Sequence, residues 1–296
     1  MPWAARKLKL DVLHCTSNTA PIICSVPLIT TVHDIIYLER INLVHGTLYQ
    51  RIGNLYRKFI VPFIINSSKR IITVSNSERA TILFRFPKID RKLIVNYNGI
   101  GAPFKKIEDE KALALIKEKY KLPKEFILFL GNTDPKKNLP NVIKAYAQLK
   151  KQKPDAAPLL VLDFGIELLV PLLEKMDEAD LLNHIMVPGY VPNNELPYIY
   201  NLASIFLYPS LRESFGIPML EAMACHTPVI SSNVHSMPEV AGDAAILIDP
   251  KNSDEIAAAM QMLLENDAQK ATLINKGIER ASQFSWKITT EKTIGI

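Results

Sequence analysis

The densest group of residues that could do chemistry lies at 208–224, where the sequence reads YPSLRESFGIPMLEAMA. Glu213 stands in a predicted loop. Glu221 follows about one turn into the helix that Pro218 predicts, since proline is favoured at the first helical position. Free backbone N–H groups at this helix start, around 214–217, can bind an anion or hydroxyl groups. Two carboxylates so placed suit the vicinal hydroxyls of a ribose and a hexose, although a purely structural role for both is the more frequent outcome of such a pattern.

A second candidate binding loop lies at 126–140, where the sequence reads FILFLGNTDPKKNLP. A buried strand is predicted to run into a loop that holds Lys136 and Lys137. Asn138 can then cap a helix that has Pro140 in its first turn. Lysine beside a helix N-terminus joins a point charge to the helix dipole, which favours phosphate. The loop lacks the Walker A pattern, and a surface lysine pair on a turn explains these residues equally well.

His33 and Asp34 follow a predicted strand in ITTVHDIIY, at the edge where parallel sheets bind ligands. The imidazole could donate to a sugar hydroxyl or a phosphate, but a lone histidine at a strand end is more often structural. The remaining histidines and the three cysteines show no metal-ligand spacing, so we expect no metal site. Cys15, Cys24 and Cys225 are interpreted as buried thiols in a reducing compartment, which favours a cytoplasmic protein.

Short β-branched runs that alternate with helical stretches must position these residues. That order predicts βαβ units and parallel, doubly wound sheets. Runs such as FILFL and PLLVL are apolar without alternation, which is typical of strands covered on both faces. The predicted strands are 11–15, 28–32, 70–74, 93–96, 126–130, 159–162, 184–187, 204–208, 228–231 and 245–248. The predicted helices include 109–120, 139–153, 167–176, 195–203 and 253–265.

Composition and charge narrow the class of protein. With 48% hydrophobic and 22% charged residues the chain is a globular protein, and disorder is excluded. No run of about 18 apolar residues occurs, so no membrane span is expected. Residues 1–107 hold 16 Lys and Arg against 5 Asp and Glu, a net +11, whereas the remaining residues carry −6. This basic half could face anionic lipid, an acidic substrate or nucleic acid, or could consist only of solvated helix faces.

The charged segment KKIEDEKALALIKEKYKLPK at 105–124 predicts a domain boundary near Ile107. The first domain would span 1–107, and the second 108–284. A nucleotide-binding half normally opens with a strand, a glycine-containing turn and a helix. Here the first strand comes only at Asp11, no G-x-G-x-x-G occurs, and about four strands precede the boundary. We therefore expect the N-terminal domain to be incomplete.

With these segments in place, the chain resembles the retaining family-4 glycosyltransferases, in their bacterial mannosyltransferase-like branch (group 1). The similarity runs in order over nearly the whole length. Its most specific part is the block from GYVPNNELPYIY to AAILIDP, which includes YPSLRESFGIPMLEAMA. The segments that carry the rest are DVLH, TVHDIIYLE, RIITVSNSER, VNYNGI, FLGNTDPKKNLPNVIKAYAQL and a closing FSW.

The resemblance implies an α/β fold of two Rossmann-like domains (GT-B), with residues 285–296 crossing back to the N-terminal one. It implies transfer of a hexose, mannose-like, from a GDP- or UDP-sugar to a glycan or lipid-linked oligosaccharide. Anomeric configuration would be retained, without a metal or other cofactor. Peripheral contact with the inner face of the membrane is expected, and no nucleic acid is expected among the partners.

The resemblance also assigns roles to residues. Lys137, with Lys136, would hold the donor diphosphate, and Glu221 the ribose hydroxyls. Glu213 would contact the transferred sugar, with His33 beside it. Further groups would bind the donor through their backbone: Phe215, Gly216 and Ile217 the sugar and phosphate, and Val191 the base.

Three departures from the family pattern bear on function. Asn132-Thr133 stands where a basic residue is usual, a role that Lys136 could take. His226 stands where the family has a glycine and is expected to need a positive φ. The opening βα units of the family are missing. The alternative is therefore a truncated, non-catalytic protein that only binds sugar nucleotides, and a sugar-nucleotide epimerase of the same architecture is a third, less favoured reading.

Overall fold

The structure is a computed structural model that describes residues 2–39 and 48–296, with no side-chain description at 48–51. It separates into two compact units, residues 1–98 with 288–296 and residues 99–287. The predicted boundary near Ile107 lies a few residues after this division. Each unit contains one parallel sheet, as the alternation of strands and helices predicts.

The first unit holds a four-stranded parallel sheet in the order β1-β2-β3-β4. Its strands are β1 (Leu13–Cys15), β2 (Leu28–Thr31), β3 (Arg70–Thr73) and β4 (Leu93–Val95). Its helices are α1 (Pro2–Lys7), α2 (Leu48–Ser67) and α3 (Asn76–Arg85). The core forms where Val61 and Ile65 of α2 and Ile82 of α3 pack with Ile71 of β3, all fully buried.

The second unit holds a six-stranded parallel sheet in the order β10-β9-β8-β5-β6-β7. Its strands are β5 (Ile127–Leu130), β6 (Leu159–Leu162), β7 (Ile185–Met186), β8 (Ile205–Tyr208), β9 (Val229–Ser232) and β10 (Ala245–Ile248). Its helices are α4 (Glu110–Lys119), α5 (Leu139–Gln152), α6 (Ile166–Lys175), α7 (Leu196–Leu202), α8 (Ile217–Ala224), α9 (Met237–Ala241), α10 (Ser253–Glu265) and α11 (Asp267–Ser282). The strands β6 and β8 are buried along their whole length, as their uninterrupted apolar runs predict, and β9 is buried as well although it ends in two serines.

All ten predicted strands are confirmed, with ends that differ by at most two residues. The five predicted helices are confirmed in the same way. The final helix, α12 (Trp286–Ile294), leads back to the first unit, where the side-chain amide of Asn96 donates to the Thr289 carbonyl oxygen and the Thr293 hydroxyl, both at 2.9 Å. Among the described residues, no helix combines the length and apolarity needed to cross a bilayer.

The three cysteines are free, but they differ in burial. Cys15 and Cys225 are buried as predicted, and burial raises the pKa of the Cys225 thiol to about 12. Cys24 is only half-buried, so the prediction is wrong there. It lies in the irregular connection between β1 and β2, next in sequence to the exposed Ile23.

His226 adopts a left-handed backbone with φ of 63°, directly after the last residues of α8. The expectation that this position needs a positive φ is therefore confirmed.

A side chain with a β-carbon is disfavoured in the left-handed conformation of His226, and glycine is not. His226→Gly should raise the free energy of unfolding by about 0.5–1 kcal/mol in urea denaturation. This is a net gain, because glycine also raises the conformational entropy of the unfolded chain. His226→Ala is the control and should give no gain, and a glycine variant less stable than the parent would contradict the prediction.

Candidate functional site

The order of strands in the second unit brings two distant loops together. Strands β5 and β8 are parallel neighbours, with Ile127 paired to Ile205. Their carboxyl ends therefore meet at one edge of the sheet, where ligands bind in open α/β folds. The loop after β5 and the loop after β8 are joined directly there, because the Leu211 N–H donates to the Lys136 carbonyl oxygen at 2.8 Å.

Asn138 links these loops in a way that differs from the prediction. It occupies the N-cap position of α5, but its side chain makes no capping hydrogen bond. Its backbone is left-handed, with φ of 70°, and the side-chain amide instead donates to the carbonyl oxygens of Pro209 at 3.0 Å and Pro250 at 2.6 Å. The predicted side-chain cap is therefore wrong, and the asparagine fastens the β5 loop to the β8 and β10 loops. Pro140 lies in the first turn of α5, as predicted.

Lys137 and Glu213 form the central contact of the site. The Lys137 Nζ lies 2.8 Å from Glu213 Oε1, and each side chain is only 13% exposed. The ammonium also lies 3.3 Å from the Tyr208 hydroxyl and 4.9 Å from the centroid of the Tyr208 ring. Removing two charges from water is costly unless they are paired and hydrogen-bonded. The lysine predicted to hold phosphate and the glutamate predicted to contact sugar are thus direct partners in the structure.

Lys136 has a different partner from its neighbour. Its Nζ lies 3.5 Å from Asp134 Oδ2, and its backbone N–H donates to Asp134 Oδ1 at 3.0 Å. The tight turn Pro135–Lys137 explains this divergence, since consecutive residues of such a turn point in different directions. Lys136 therefore lies at the rim of the site, paired with an exposed aspartate.

Glu221 occupies a more apolar environment than Glu213. It is half-buried on α8, and the Tyr200 hydroxyl donates to its Oε2 at 3.5 Å. Burial raises the pKa of the Glu221 carboxyl to about 7, and the bond from Tyr200 opposes that rise only partly. The two glutamates predicted to act together thus have different partners, since Glu213 is paired with the Lys137 ammonium and Glu221 accepts from a tyrosine hydroxyl.

Tyr208 is the residue of this site to which sequence reasoning assigned no role. It is almost fully buried at the end of β8. Burial, followed by the nearby Glu213 and then Glu221 carboxylates, raises the pKa of its hydroxyl far above the usual value. It therefore stays neutral and can donate or accept a hydrogen bond between the two acids. Its position as the last residue of a buried strand, at the binding edge of the sheet, is the signal that could have identified it.

The start of α8 is shaped by Gly216, which has φ of 98°. This backbone conformation favours glycine, and a β-carbon there would also displace the Met237 side chain, whose Cε would lie 2.4 Å away. The helix begins at Ile217, one residue before the predicted start. Pro218 is therefore its second residue and not its first. Phe215 is buried with its ring against Phe284, at 5.8 Å between centroids, which leaves its backbone as the part that can meet a ligand.

The predicted base-binding residue belongs to another loop of the second unit. Val191 is buried in the loop after β7, next to the exposed Tyr190. The far end of that loop is held by Glu195, which accepts hydrogen bonds from the Lys119 ammonium at 2.7 Å and the Tyr120 hydroxyl at 2.6 Å. The predicted base-binding segment is therefore anchored to the end of α4.

His33 lies in the first unit. Its ring Nε2 is 3.0 Å from the Thr16 carbonyl oxygen, and its backbone N–H donates to Asn18 Oδ1 at 2.7 Å. Because a carbonyl oxygen can only accept, Nε2 carries the proton, and Nδ1 is an acceptor in the neutral ring. The side chain borders a cavity of about 590 Å³ within this unit, whose polar lining includes Asp34 and Arg57.

Comparison with known proteins assigns both parts of the chain to glycosyltransferase families. Residues 113–280 match the family described as Glycosyl transferases group 1, and residues 1–102 match Glycosyltransferase Family 4. O-antigen chain mannosyltransferase B of Escherichia coli is 33% identical over 78% of this chain. The chain spans 60% of that relative's length.

Solved structures show the same fold at low sequence identity. Anabaena Alr3699/HepE, determined in complex with UDP, has a TM-score of 0.78 at 20% identity, covering 99% of this chain and 79% of its own. WaaG, a glycosyltransferase involved in lipopolysaccharide biosynthesis, has a TM-score of 0.75 at 16% identity, covering 98% of this chain and 78% of its own. These neighbours confirm the predicted GT-B fold of Rossmann-like α/β domains. The chain belongs to the group 1 glycosyl transferases, of the family 4 type.

Proposed function

We propose that the protein transfers a hexose, mannose-like, from a GDP- or UDP-sugar to a glycan or lipid-linked acceptor, with retained configuration and without a metal. The observation that carries the proposal is the pairing of Lys137 with Glu213 at the binding edge of the second sheet. The names of similar proteins agree with it, since the relative in Escherichia coli is a mannosyltransferase and the Anabaena protein binds UDP.

The donor diphosphate would replace Glu213 as the ionic partner of Lys137. A phosphate oxygen offers the ammonium a stronger partner than one carboxylate oxygen, because the diphosphate carries more charge. Lys136, at the rim, would add a second cation. Glu213 would then be released from its ion pair to accept hydrogen bonds from the hydroxyls of the sugar. The N–H groups at the start of α8, held in place by the Gly216 conformation, would donate to phosphate or sugar oxygens.

Glu221 would bind the ribose, and Val191 would bind the base through its backbone. Nucleoside diphosphate binding would thus extend along the binding edge from the α8 region to the loop after β7. In the first unit, the His33 ring would have Nδ1 available to accept from a sugar hydroxyl, since Nε2 is engaged by Thr16.

The chemistry needs no base in the protein. The bond between the anomeric carbon and the phosphate oxygen breaks, and the bond to the acceptor oxygen forms on the same face of the sugar. The acceptor proton passes to the departing phosphate oxygen. Negative charge grows on the diphosphate during this step, and the fixed Lys137 ammonium and backbone N–H groups stabilise it.

Two measurements test the proposal. Calorimetric titration with GDP and with UDP in the presence of EDTA should show binding to one of them. Incubation with the matching hexose donor and a panel of mannose-containing glycans should give a product with the donor's anomeric configuration by NMR. Binding without transfer or donor hydrolysis would favour the non-catalytic alternative, and no binding of either nucleotide would refute both.

A further inference from the structure

Asp163 is a charged residue at the binding edge of the second sheet, and the proposed mechanism gives it no task. It directly follows β6, the strand that is hydrogen-bonded to β5 on one side and to β7 on the other. Neighbouring strands of a sheet lie about 4.8 Å apart. Asp163 therefore leaves the sheet between the loop that holds Lys137 and the loop that holds Val191.

The residues on either side of Asp163 hold it against the loop after β5. Both of them, Leu162 and Phe164, are buried. The N–H of Gly131, at the start of that loop, donates to the Leu162 carbonyl oxygen at 3.0 Å, and a β-carbon on Gly131 would lie 3.5 Å from Phe164 Cβ. Asp163 is thus placed beside the first residue of the loop that would bind the donor diphosphate.

The backbone conformation of Asp163 does not explain why a carboxylate stands here. Its φ of 56° is left-handed. Glycine and asparagine adopt this conformation as readily as aspartate does. What only aspartate adds at this position is its negative charge, and that charge needs a separate reason.

The Asp163 carboxylate lacks a protein partner. No described residue forms a hydrogen bond or an ion pair with it. Although the residue as a whole is exposed, nearby protein atoms displace water from the carboxyl, and this burial raises its pKa. A carboxylate that loses hydration without gaining a partner is unfavourable. A ligand with N–H or O–H donors would supply the missing hydrogen bonds.

The charge of Asp163 limits which part of a nucleotide can meet it. A diphosphate would be repelled, and Glu221 would already bind the ribose hydroxyls, so the base remains. Guanine presents two adjacent donors, N1–H and the 2-amino group, which match the two oxygens of a carboxylate. Uracil presents one N–H between two carbonyl oxygens, which a carboxylate repels. The chemistry of this position therefore favours guanine over uracil.

We propose that Asp163 recognises the guanine of a GDP-sugar, with both carboxylate oxygens accepting hydrogen bonds from the base. The inference rests on the proposed function and selects one of the two donors named there. The Val191 backbone and the Asp163 side chain would hold the base from neighbouring loops. Asp163 would determine specificity and would take no part in breaking or forming the glycosidic bond.

Calorimetric titration with GDP, IDP and UDP in the presence of EDTA tests the assignment. The parent should bind GDP at least about tenfold more tightly than UDP, because paired hydrogen bonds to a charged group discriminate strongly between bases. IDP lacks the 2-amino group and should fall between them. Asp163→Asn should weaken GDP binding by about tenfold to a hundredfold and change UDP binding by less than about twofold.

Xanthosine diphosphate gives a readout that a purely structural role of Asp163 would not change. Xanthine has a carbonyl oxygen where guanine has its 2-amino group. An asparagine side chain offers one acceptor for N1–H and one donor for that oxygen. The Asp163→Asn protein should therefore bind xanthosine diphosphate about tenfold more tightly than the parent does.

Two further variants serve as controls. Asp155 is an exposed aspartate in the connection that precedes β6, at the opposite end of that strand, so Asp155→Asn should leave all four affinities unchanged. Asp163→Gly fits the left-handed backbone and should lose the preference for guanine without losing stability in urea denaturation.

Tighter binding of UDP than of GDP, or equal losses of both in Asp163→Asn, would overturn the assignment. If Lys137→Ala still weakened UDP binding in that case, the proposed function would stand and only the guanine assignment would fail. No binding of any of the four nucleotides would instead refute the proposed function, and the assignment with it.

Discussion

Lys137→Ala should lower the affinity for GDP or UDP roughly a hundredfold, because the diphosphate loses charge-assisted hydrogen bonds from a cation that is largely shielded from water. Transfer should fall further, since the same ammonium stabilises charge that grows as the diphosphate leaves. Calorimetry without added metal measures the first effect, and a transfer assay at saturating donor measures the second.

Two other lysines make this experiment specific. Lys144 is exposed on α5 and serves as the control, so Lys144→Ala should leave affinity unchanged. Lys136→Ala should give an intermediate loss, because this side chain lies at the rim and is paired with Asp134. Nucleotide binding by the Lys137→Ala protein with the parent's affinity would contradict the proposed site.

Loss of Lys137 also leaves the Glu213 carboxylate without its cation. That should reduce the free energy of unfolding by about 1–3 kcal/mol, since an unpaired and mostly buried charge is unfavourable. Adding Glu213→Gln should restore much of the stability but none of the nucleotide affinity. The double variant therefore separates a folding defect from the loss of the binding group.

The second large effect is a dependence of stability on pH that comes from Glu221. Its folded-state pKa of about 7 lies above the value of 4.5 for a free carboxyl. Between these two pH values the folded protein keeps a proton that the unfolded chain releases. The free energy of unfolding should therefore fall as pH rises from about 4.5 to about 7, by about 2–3 kcal/mol in total.

Urea denaturation across this pH range measures the effect. Glu221→Gln should remove this contribution, because the amide does not titrate, whereas Glu279→Gln on the exposed side of α11 should preserve it. Nucleotide affinity of the parent, relative to that of the Glu221→Gln protein, should rise with pH through about 7, since the ionised carboxylate is the better acceptor for ribose hydroxyls. A parent protein with the same pH profile as Glu221→Gln would show that the carboxyl is already ionised at low pH.

The α2 helix shows why one element was predicted without bounds. The alternation of strands and helices predicts a helical stretch between strands 28–32 and 70–74, and the structure has a helix of 20 residues there, at 48–67. Both its inner and its outer faces are apolar, so the stretch lacks the polar–apolar alternation from which a surface helix is recognised. Pro62, inside the helix, also argues against one on local grounds.

The sequence alone determined the features that depend on neighbouring residues. Short β-branched and apolar runs located the ten strands, proline and asparagine marked the starts of α8 and α5, and the glycine that the family has in place of His226 predicted the positive φ there. These features follow from backbone sterics and from the burial of short segments, which are properties of a few consecutive residues. The family resemblance then selected Lys137, Glu213 and Glu221 from many charged side chains.

Only the tertiary structure decided how those groups act on one another. Strand β8 lies beside β5 although Lys137 and Glu213 are 76 positions apart along the chain, and this neighbourhood creates their ion pair. It also places Tyr208 between two acids, turns Lys136 towards Asp134, and buries Glu221 deeply enough to hold a proton near neutral pH. Charge state and pairing depend on desolvation and on distances across the sheet, and no local pattern of residue types contains that information.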